Sequence, residues 1–331
     1  MRETGPILIF FVDGVGLRAA EAGNPFVERP LPSIAALLGG PLVAGCARDE
    51  PGRCVNEVDA TLGVEGLPQS GTGQTALFTG VNAAQAIGRH VPAFPGPRLK
   101  AIIESHGLLA RAARAGHSVT FANAFTPSYL RDLAAGSRRA SVTVHAAACA
   151  GIALRAESEL LRNEAVTWDF ERDFYRRAVG EHVPAIEAAT AGAYLAALAA
   201  RHDLTLYETF ITDLVGHGRI PMTASDALER LDRFLGGLMA ARDPALTLVL
   251  CSDHGNIEEP EHARHTRNPV PLIALGPQAG SFAGSRSIVD LTPAVLRAMG
   301  IAATSVVDAR SAAIPEARRV IAAAASPVGA S

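Results

Sequence analysis

The chain has 331 residues, of which 48% are hydrophobic, and 30 basic against 33 acidic side chains give a formal net charge of -3 at pH 7. This length can bury a large core, and the absence of a Lys/Arg block argues against a nucleic-acid partner, which requires clustered positive charge. No apolar run is long enough for a membrane span and no signal peptide is visible, so we expect a cytoplasmic protein without a membrane partner.

Short apolar, β-branched runs alternate with helical patterns along the chain, as in repeated β-α units. In chain order the predicted strands are Ile7 to Val12, Val119 to Ala122, Leu204 to Thr212, Leu246 to Ser252 and Val270 to Leu275. The predicted helices are Leu99 to Ala115, Pro184 to Ala200, Ser225 to Ala241 and Thr292 to Met299. We therefore expect an α/β fold in which helices flank a mostly parallel sheet.

The alternation breaks between residues 126 and 182, where Arg-rich and Glu-rich patches surround the single Trp. We predict an α/β core at residues 1–125 and 183–312, and either a small cap or a surface insertion at 126–182. Residues 313–331 are Ala-rich and predict a C-terminal tail, a helix with a frayed end.

Three aspartates each follow a predicted strand closely, and three histidines lie near them in the chain. Ligands of open α/β sheets bind beyond the carboxyl ends of the strands, so these side chains should meet at one edge. The metal-ligand candidates are Asp13, Asp213, His217, Asp253, His254 and His265. Three carboxylates and three imidazoles are the ligand complement of a two-metal phosphoryl-transfer site, and with one alkoxide the carboxylates balance two divalent cations.

Each motif also has a structural interpretation when taken singly. Asp213 and His217, four residues apart, share a face of a helical turn and could reach one cation, but such pairs are often surface neighbours. Asp253 and His254 could form an ordinary strand-to-loop turn, and His265 could be a loop histidine.

A serine lies in a Gly-rich turn ahead of a predicted helix that begins near Gly73. The amides of Gly71, Thr72 and Gly73 and the positive end of the helix could there face an anion and favour an alkoxide. Ser70 is therefore the candidate nucleophile, with Thr72 and Thr75 as rival hydroxyls. The alternative is a loop that only caps the helix.

Together these motifs resemble the alkaline phosphatase superfamily, most closely its branch of cofactor-independent phosphoglycerate mutase and phosphopentomutase. The similarity rests on Asp13-Gly14-Val15-Gly16 with Asn24, Gly66-Leu67-Pro68-Gln69-Ser70-Gly71-Thr72-Gly73, Asp213-Leu214-Val215-Gly216-His217, Ser252-Asp253-His254-Gly255-Asn256 and His265-Thr266-Arg267-Asn268-Pro269-Val270-Pro271. These five motifs follow the order that they have in the family.

The resemblance implies an alkaline phosphatase-like core and selects Ser70 among the three hydroxyls. It also implies that two divalent cations are bound, with Mn²⁺ favoured over Zn²⁺. One ion would be held by Asp213, His217 and His265, and the other by Asp13, Ser70, Asp253 and His254.

Two departures from the resemblance favour hydrolysis over mutase activity. Gln74 stands where the two mutases usually have His, and the interval from Ser70 to Asp213 is shorter than their large caps need. A mutase must keep water from its phosphorylated intermediate, which a small cap makes harder. We therefore expect a metal-dependent phosphatase or phosphoesterase, a hydrolase that acts on a small phosphorylated metabolite through a phosphoserine.

The candidates for substrate contact are Arg89, His90, Asn123, Arg264 and Arg267. Three alternatives remain: a phosphomutase, a catalytically inactive metal-binding regulatory protein, and a dinucleotide-binding module. The last is the weakest, because the Gly-x-Gly-x-x-Gly spacing is absent and Asp13 at the turn would repel a pyrophosphate.

Overall fold

A seven-stranded sheet forms the centre of the fold in the computed structural model, which describes residues 5–302. The strands are β1 (Ile7–Val12), β2 (Arg48–Glu50), β3 (Arg53–Val58), β4 (Val119–Phe121), β5 (Leu204–Thr209), β6 (Thr247–Cys251) and β7 (Val270–Leu275). Across the sheet their order is β2-β3-β7-β6-β1-β5-β4. The predicted tail at 313–331 lies outside the described residues.

Helices connect the strands and cover both faces of the sheet. They are α1 (Pro25–Glu28), α2 (Pro32–Leu38), α3 (Ser70–Thr79), α4 (Ala83–Ile87), α5 (Pro97–His106), α6 (Leu108–Arg114), α7 (Pro127–Ala134), α8 (Val142–Cys149), α9 (Glu157–Leu161), α10 (Asp173–Val179), α11 (Ala188–Ala199), α12 (Ile211–Gly216), α13 (Ala224–Ala241) and α14 (Leu291–Ala298). Two 3-10 helices, Ala279–Phe282 and Ile288–Asp290, precede α14. Among the described residues, every helix is too short or too polar to cross a bilayer.

The α/β fold is confirmed, but the expectation of a mostly parallel sheet is only partly correct. Strands β4, β5, β1 and β6 run parallel to one another. Strand β7 is antiparallel to β6, β3 is antiparallel to β7, and β2 is antiparallel to β3. The sequence reasoning missed β2, whose three residues are all charged, and β3, whose apolar residues are interrupted by Asn56 and Glu57. They form a hairpin in which Glu50 pairs with Arg53, and antiparallel strands need only such a two-residue connection.

Alternate side chains of β1 enter two separate apolar clusters, one on each face of the sheet. Ile7, Ile9 and Phe11 pack with residues of α3, α5, α6, α8 and α14, while Leu8 and Phe10 pack with residues of α2, α11 and α13. All six residues of β1 are buried. Burial on both faces explains why this strand is a continuous apolar run.

Two predicted elements end earlier than their apolar patterns suggested. The helix predicted from Leu99 to Ala115 is divided into α5 and α6 at Gly107, whose amide donates to the Ile103 carbonyl at 2.8 Å. The strand predicted from Leu204 to Thr212 ends at Thr209, because α12 begins at Ile211.

Residues 126–182 contain helices α7 to α10. Helix α8 packs against α3, α5 and α6, and its Val142 and Val144 belong to a main core cluster. A small separate cluster includes Leu160 and Tyr175. The division into core and cap stays a prediction.

Candidate metal centre

The carboxyl ends of the parallel strands bring the three candidate aspartates to one edge of the sheet. Asp13 follows β1 directly, Asp213 lies in α12 just after β5, and Asp253 lies two residues beyond β6. The amide of Asp13 donates to the carbonyl of Thr209 at 2.9 Å, and the Thr212 hydroxyl donates to the carbonyl of Asp13. The ends of β1 and β5 are therefore joined beside the site.

Strand β7 explains how His265 reaches the same edge. Because β7 runs antiparallel to β6, the connection at residues 252–269 both leaves and re-enters the sheet at the carboxyl end of β6. This one loop carries Asp253 and His254 at its start and His265 near its end.

Asp213, His217 and His265 form the first of two compact ligand groups. The Nε2 atoms of His217 and His265 are 3.0 Å apart, and Asp213 Oδ1 lies 3.3 and 3.5 Å from them. On their other sides, the Nδ1 atom of His217 is 3.1 Å from the Ala263 carbonyl and that of His265 is 2.7 Å from the Pro68 carbonyl. A carbonyl accepts from a protonated Nδ1, so each Nε2 faces the carboxylate and would bind a cation once it has lost its proton.

Asp13, Asp253 and His254 form the second group, and all three are buried. His254 Nε2 lies 3.3 Å from Asp13 Oδ1 and 3.5 Å from Asp253 Oδ2. Within the described residues, Asp13 Oδ1 and both carboxylate oxygens of Asp253 lack a hydrogen-bond partner. Buried carboxylate oxygens without donors are costly, so this group fits a bound cation.

The electrostatics of the second group also fit a bound cation. Burial raises the pKa of Asp13 well above its usual value, and the charges of Asp253 and Asp213 raise it further. Burial also lowers the pKa of His254, which keeps its imidazole neutral and able to act as a ligand. Without added positive charge, the carboxylates therefore cannot all ionise at low cost.

The first group behaves differently because its histidines already solvate the carboxylate. Burial raises the pKa of Asp213, but hydrogen bonds to His217 and His265 outweigh this and hold the pKa below its usual value. Burial lowers the pKa of His265, yet its bond to Asp213 leaves it raised overall. Asp213 is thus ionised and ready to bind a cation.

The two groups are in direct contact with each other. The rings of His254 and His265 stack with centroids 3.7 Å apart and an angle of 17° between their planes. Asn256, two residues after His254, donates from Nδ2 to Asp213 Oδ1 at 2.8 Å. This proximity suits two cations that act on one substrate group.

Ser70 is the first residue of α3, three residues earlier than the helix start expected near Gly73. Its Oγ lies 2.9 Å from His254 Nε2, beside the second ligand group. The amide cradle expected for an anion is not formed as predicted, since the amide of Thr72 donates to Val91 and that of Gly73 donates to Gln69.

Both rival hydroxyls are turned towards the backbone. Thr72 Oγ1 donates to the Gln69 carbonyl and accepts from the Val91 amide, each at 3.2 Å. Thr75 Oγ1 donates to the Gly71 carbonyl at 2.6 Å. Of the three hydroxyls, that of Ser70 contacts a candidate ligand.

A cavity of about 280 Å³ opens over the first group and Ser70. Its lining residues are Leu67, Gln69, Ser70, Pro92, Ala93, Asp213, His217, Arg219, Ala263, Arg264 and His265. The arginines Arg219 and Arg264 are exposed and supply positive charge at its wall. Sequence reasoning missed Arg219, although its place two residues after His217 was a usable signal.

The other four predicted substrate contacts do not line this cavity in the part of the chain that the structure describes. Asn123 is buried and exchanges hydrogen bonds with the backbone of Glu208. Arg89 lines a different surface cavity, and His90 Nε2 lies 3.3 Å from the Val64 carbonyl. Arg267 is exposed. Their role in substrate binding stays a prediction.

Two further polar side chains border the second group. Gln74, at the position where the mutases usually have His, donates from Nε2 to Asp13 Oδ2 at 3.3 Å. Glu208 is buried in β5, and burial raises its pKa to about 7, with a smaller contribution from Asp253. Sequence reasoning missed Glu208, for which an acid inside an apolar strand was the available signal.

Comparison with known proteins gives one family match and several relatives. The sequence model of the Metalloenzyme superfamily matches residues 181–303. The chain is 33% identical over 117 residues to a 2,3-bisphosphoglycerate-independent phosphoglycerate mutase of Roseobacter denitrificans, which is 33% of this chain and 23% of that protein. It is 36% identical over 108 residues to the protein of the same name in Cereibacter sphaeroides, 30% of this chain and 21% of that one. The matched part thus spans less than a quarter of each of these two relatives.

Solved structures share the fold over almost the whole chain. A protein from Pyrococcus horikoshii superposes with a TM-score of 0.54 at 16% identity, over 91% of this chain and 98% of that one. The alkaline phosphatase of the Antarctic bacterium TAB5 superposes with a TM-score of 0.52 at 12% identity, over 90% of this chain and 99% of that one.

The dinucleotide-binding alternative fails, because the chain runs irregularly after Asp13 and the next helix begins only at Pro25.

Proposed function

We propose that the chain, which matches the sequence model of the Metalloenzyme superfamily over residues 181–303, is a two-metal phosphatase of the alkaline phosphatase superfamily, near its phosphomutase branch. Its substrate would be a small phosphorylated metabolite, and Ser70 would accept the phosphoryl group. The observation that carries the proposal is the position of Ser70: its Oγ contacts His254 of one ligand group and lines the cavity formed by the other.

The two ligand groups fit divalent cations, with three oxygen or nitrogen donors each. Bound there, two divalent cations would offset the carboxylate charge, favour the ionised Ser70 hydroxyl and stabilise the charge that develops during phosphoryl transfer. Oxygen and imidazole donors suit both Mn²⁺ and Zn²⁺, and the family resemblance favours Mn²⁺.

The chain's own residues then have distinct roles. Ser70 Oγ gives up its proton to solvent and attacks the phosphorus atom, the bond from phosphorus to the leaving alcohol breaks, and the alcohol oxygen takes up a proton from solvent. Water next loses a proton and attacks the same phosphorus, the bond to Ser70 Oγ breaks, Ser70 Oγ is protonated again, and inorganic phosphate leaves. Arg219 and Arg264 place positive charge where an anionic substrate enters.

Hydrolysis is favoured because Ser70 is itself only partly buried and lines the cavity. Water can therefore reach a phosphoserine at position 70. The second candidate is a phosphomutase, which the names of the curated relatives support. The two activities differ in product: free phosphate in one case and an isomer of the substrate in the other.

Metal content and product analysis test the proposal together. After chelation and reconstitution with Mn²⁺ or Zn²⁺, we expect about two ions per chain and release of free phosphate from at least one member of a phosphometabolite panel. Asp253→Asn should lose metal and turnover, whereas His106→Ala, outside every ligand group, should retain both. Fewer than about one ion per folded chain would contradict the two-metal site, and an isomerised product without free phosphate would favour the mutase.

A further inference from the structure

Glu258 is a fully buried carboxylate in the connection between β6 and β7, and it belongs to neither ligand group. Its Oε2 accepts from the amides of Gly16 and Asn256 at 2.9 and 2.8 Å. Its Oε1 accepts from the Thr266 hydroxyl at 2.5 Å and from Asn268 Nδ2 at 3.1 Å. Four donors satisfy the charge, so this buried anion has a low cost.

These donors come from three separate stretches of chain, and each stretch carries candidate ligands. Gly16 lies three residues after Asp13. Asn256 lies two residues after His254, and Thr266 follows His265 directly. One carboxylate therefore joins the backbone segments that present ligands of both groups.

The glycines of these segments leave the space that Glu258 occupies. A Cβ atom added at Gly16 would lie 2.0 Å from Glu258 Oε1, and one added at Gly255 would lie 2.1 Å from it. Any side chain at either position would displace the carboxylate. Close approach to Glu258 thus accounts for glycine at both sites.

Asn256 extends the network to the third aspartate. Its amide is held by Glu258 Oε2, and its side chain donates to Asp213 Oδ1 at 2.8 Å. Glu258 is in this way linked to α12, the helix that precedes His217.

We infer that Glu258 is a positioning residue, which sets the relative placement of the three ligand-bearing segments and so the affinity for both cations. The inference rests on the proposed two-metal function. Loss of the carboxylate leaves four donors without their acceptor and allows the segments to move apart. Partners that orient metal ligands typically contribute roughly 10- to 100-fold to metal affinity.

The test compares Glu258→Ala, Glu258→Gln and the matched control Glu261→Gln, whose carboxylate lies on the surface against Arg18. We expect the Mn²⁺ dissociation constants, measured by competition with a chelator, to rise roughly 10- to 100-fold in Glu258→Ala and to stay unchanged in the control. Glu258→Gln should weaken binding less, because its carbonyl can still accept from Gly16 and Asn256. Because glutamine fills the same space as glutamate, the loss of affinity that remains in Glu258→Gln distinguishes the acceptor role from mere space filling.

Leu109→Ala, in the buried core of α6, separates positioning from stability. It should lower the melting temperature of the chelated protein without changing Mn²⁺ affinity. Unchanged Mn²⁺ affinity in folded Glu258→Ala would overturn the inference alone, while absence of binding by the wild-type protein would overturn the proposed function and the inference with it. If Glu258→Ala does not fold, equal affinities of Glu258→Gln and Glu261→Gln overturn the inference.

Discussion

Helix α3 presents three hydroxyls within six residues, and their hydrogen bonds differ in kind. Those of Thr72 and Thr75 bond to backbone groups, whereas that of Ser70 lies against His254. A nucleophile needs a free oxygen lone pair near an activating group. At the residue scale, this contrast distinguishes one hydroxyl from its neighbours.

We expect Ser70→Ala to reduce phosphoryl transfer by at least about 10³-fold, because the attacking oxygen is removed. Both metal ions should remain, since the other ligands are intact. Thr72→Ala and Thr75→Ala should retain substantial activity. Steady-state kinetics with metal analysis check these outcomes, and a phosphate trapped on Thr72 or Thr75 would show that the nucleophile is misplaced.

Helices α11 and α13 pack with almost no space between their backbones on one face of the sheet. A Cβ atom added at Gly192 would lie 2.1 Å from the Phe234 carbonyl oxygen. One added at Gly237 would lie 1.9 Å from the Ala189 carbonyl oxygen. At the element scale, glycine is therefore required where the two helices cross.

Gly237→Ala should destabilise the protein by about 1–3 kcal/mol, because the added methyl forces the helices apart. Intrinsic helix propensity acts in the opposite direction by only about 1 kcal/mol. Urea denaturation measures the difference. Gly280→Ala is the control, since a Cβ atom there meets nothing within 4 Å, and equal stabilities of the two variants would refute the close crossing.

At the scale of the whole molecule, buried acids make the stability of the metal-free protein depend on pH. Burial raises the pKa of Glu208 from 4.5 to about 7, and burial with neighbouring carboxylates raises that of Asp13. A group whose pKa is higher in the folded state stabilises the fold fully at low pH, and this contribution is lost as the pH rises through the folded-state pKa. The metal-free protein should therefore lose stability between about pH 5 and pH 8.

Glu208→Gln should remove on the order of 3 kcal/mol of this pH dependence, which corresponds to the shift in the pKa of Glu208. The measurement is the free energy of unfolding in urea across this pH range, with chelator present. Glu21→Gln, at an exposed carboxylate, should leave the dependence unchanged. An identical pH dependence in Glu208→Gln and wild type would contradict the assignment.

Features set by local patterns could be predicted from the sequence alone. The bounds of β1 and β7 match the apolar runs Ile7–Val12 and Val270–Leu275, because a strand buried on both faces must be apolar throughout. The α/β class follows from the alternation of such runs with helices. The six ligand candidates and Ser70 stood out because acids, imidazoles and a Gly-rich turn recur after these runs.

Tertiary structure decided what depends on contacts between distant residues. The antiparallel β3 and β7 place His265 beside residues that follow β6, which no local pattern specifies. The contact of Ser70 with His254 joins residues 184 positions apart, and Gly16 meets Glu258 across 242. Composition and periodicity report which side chains favour burial, but only packing decides which of them meet, and that geometry sets the chemistry of the site.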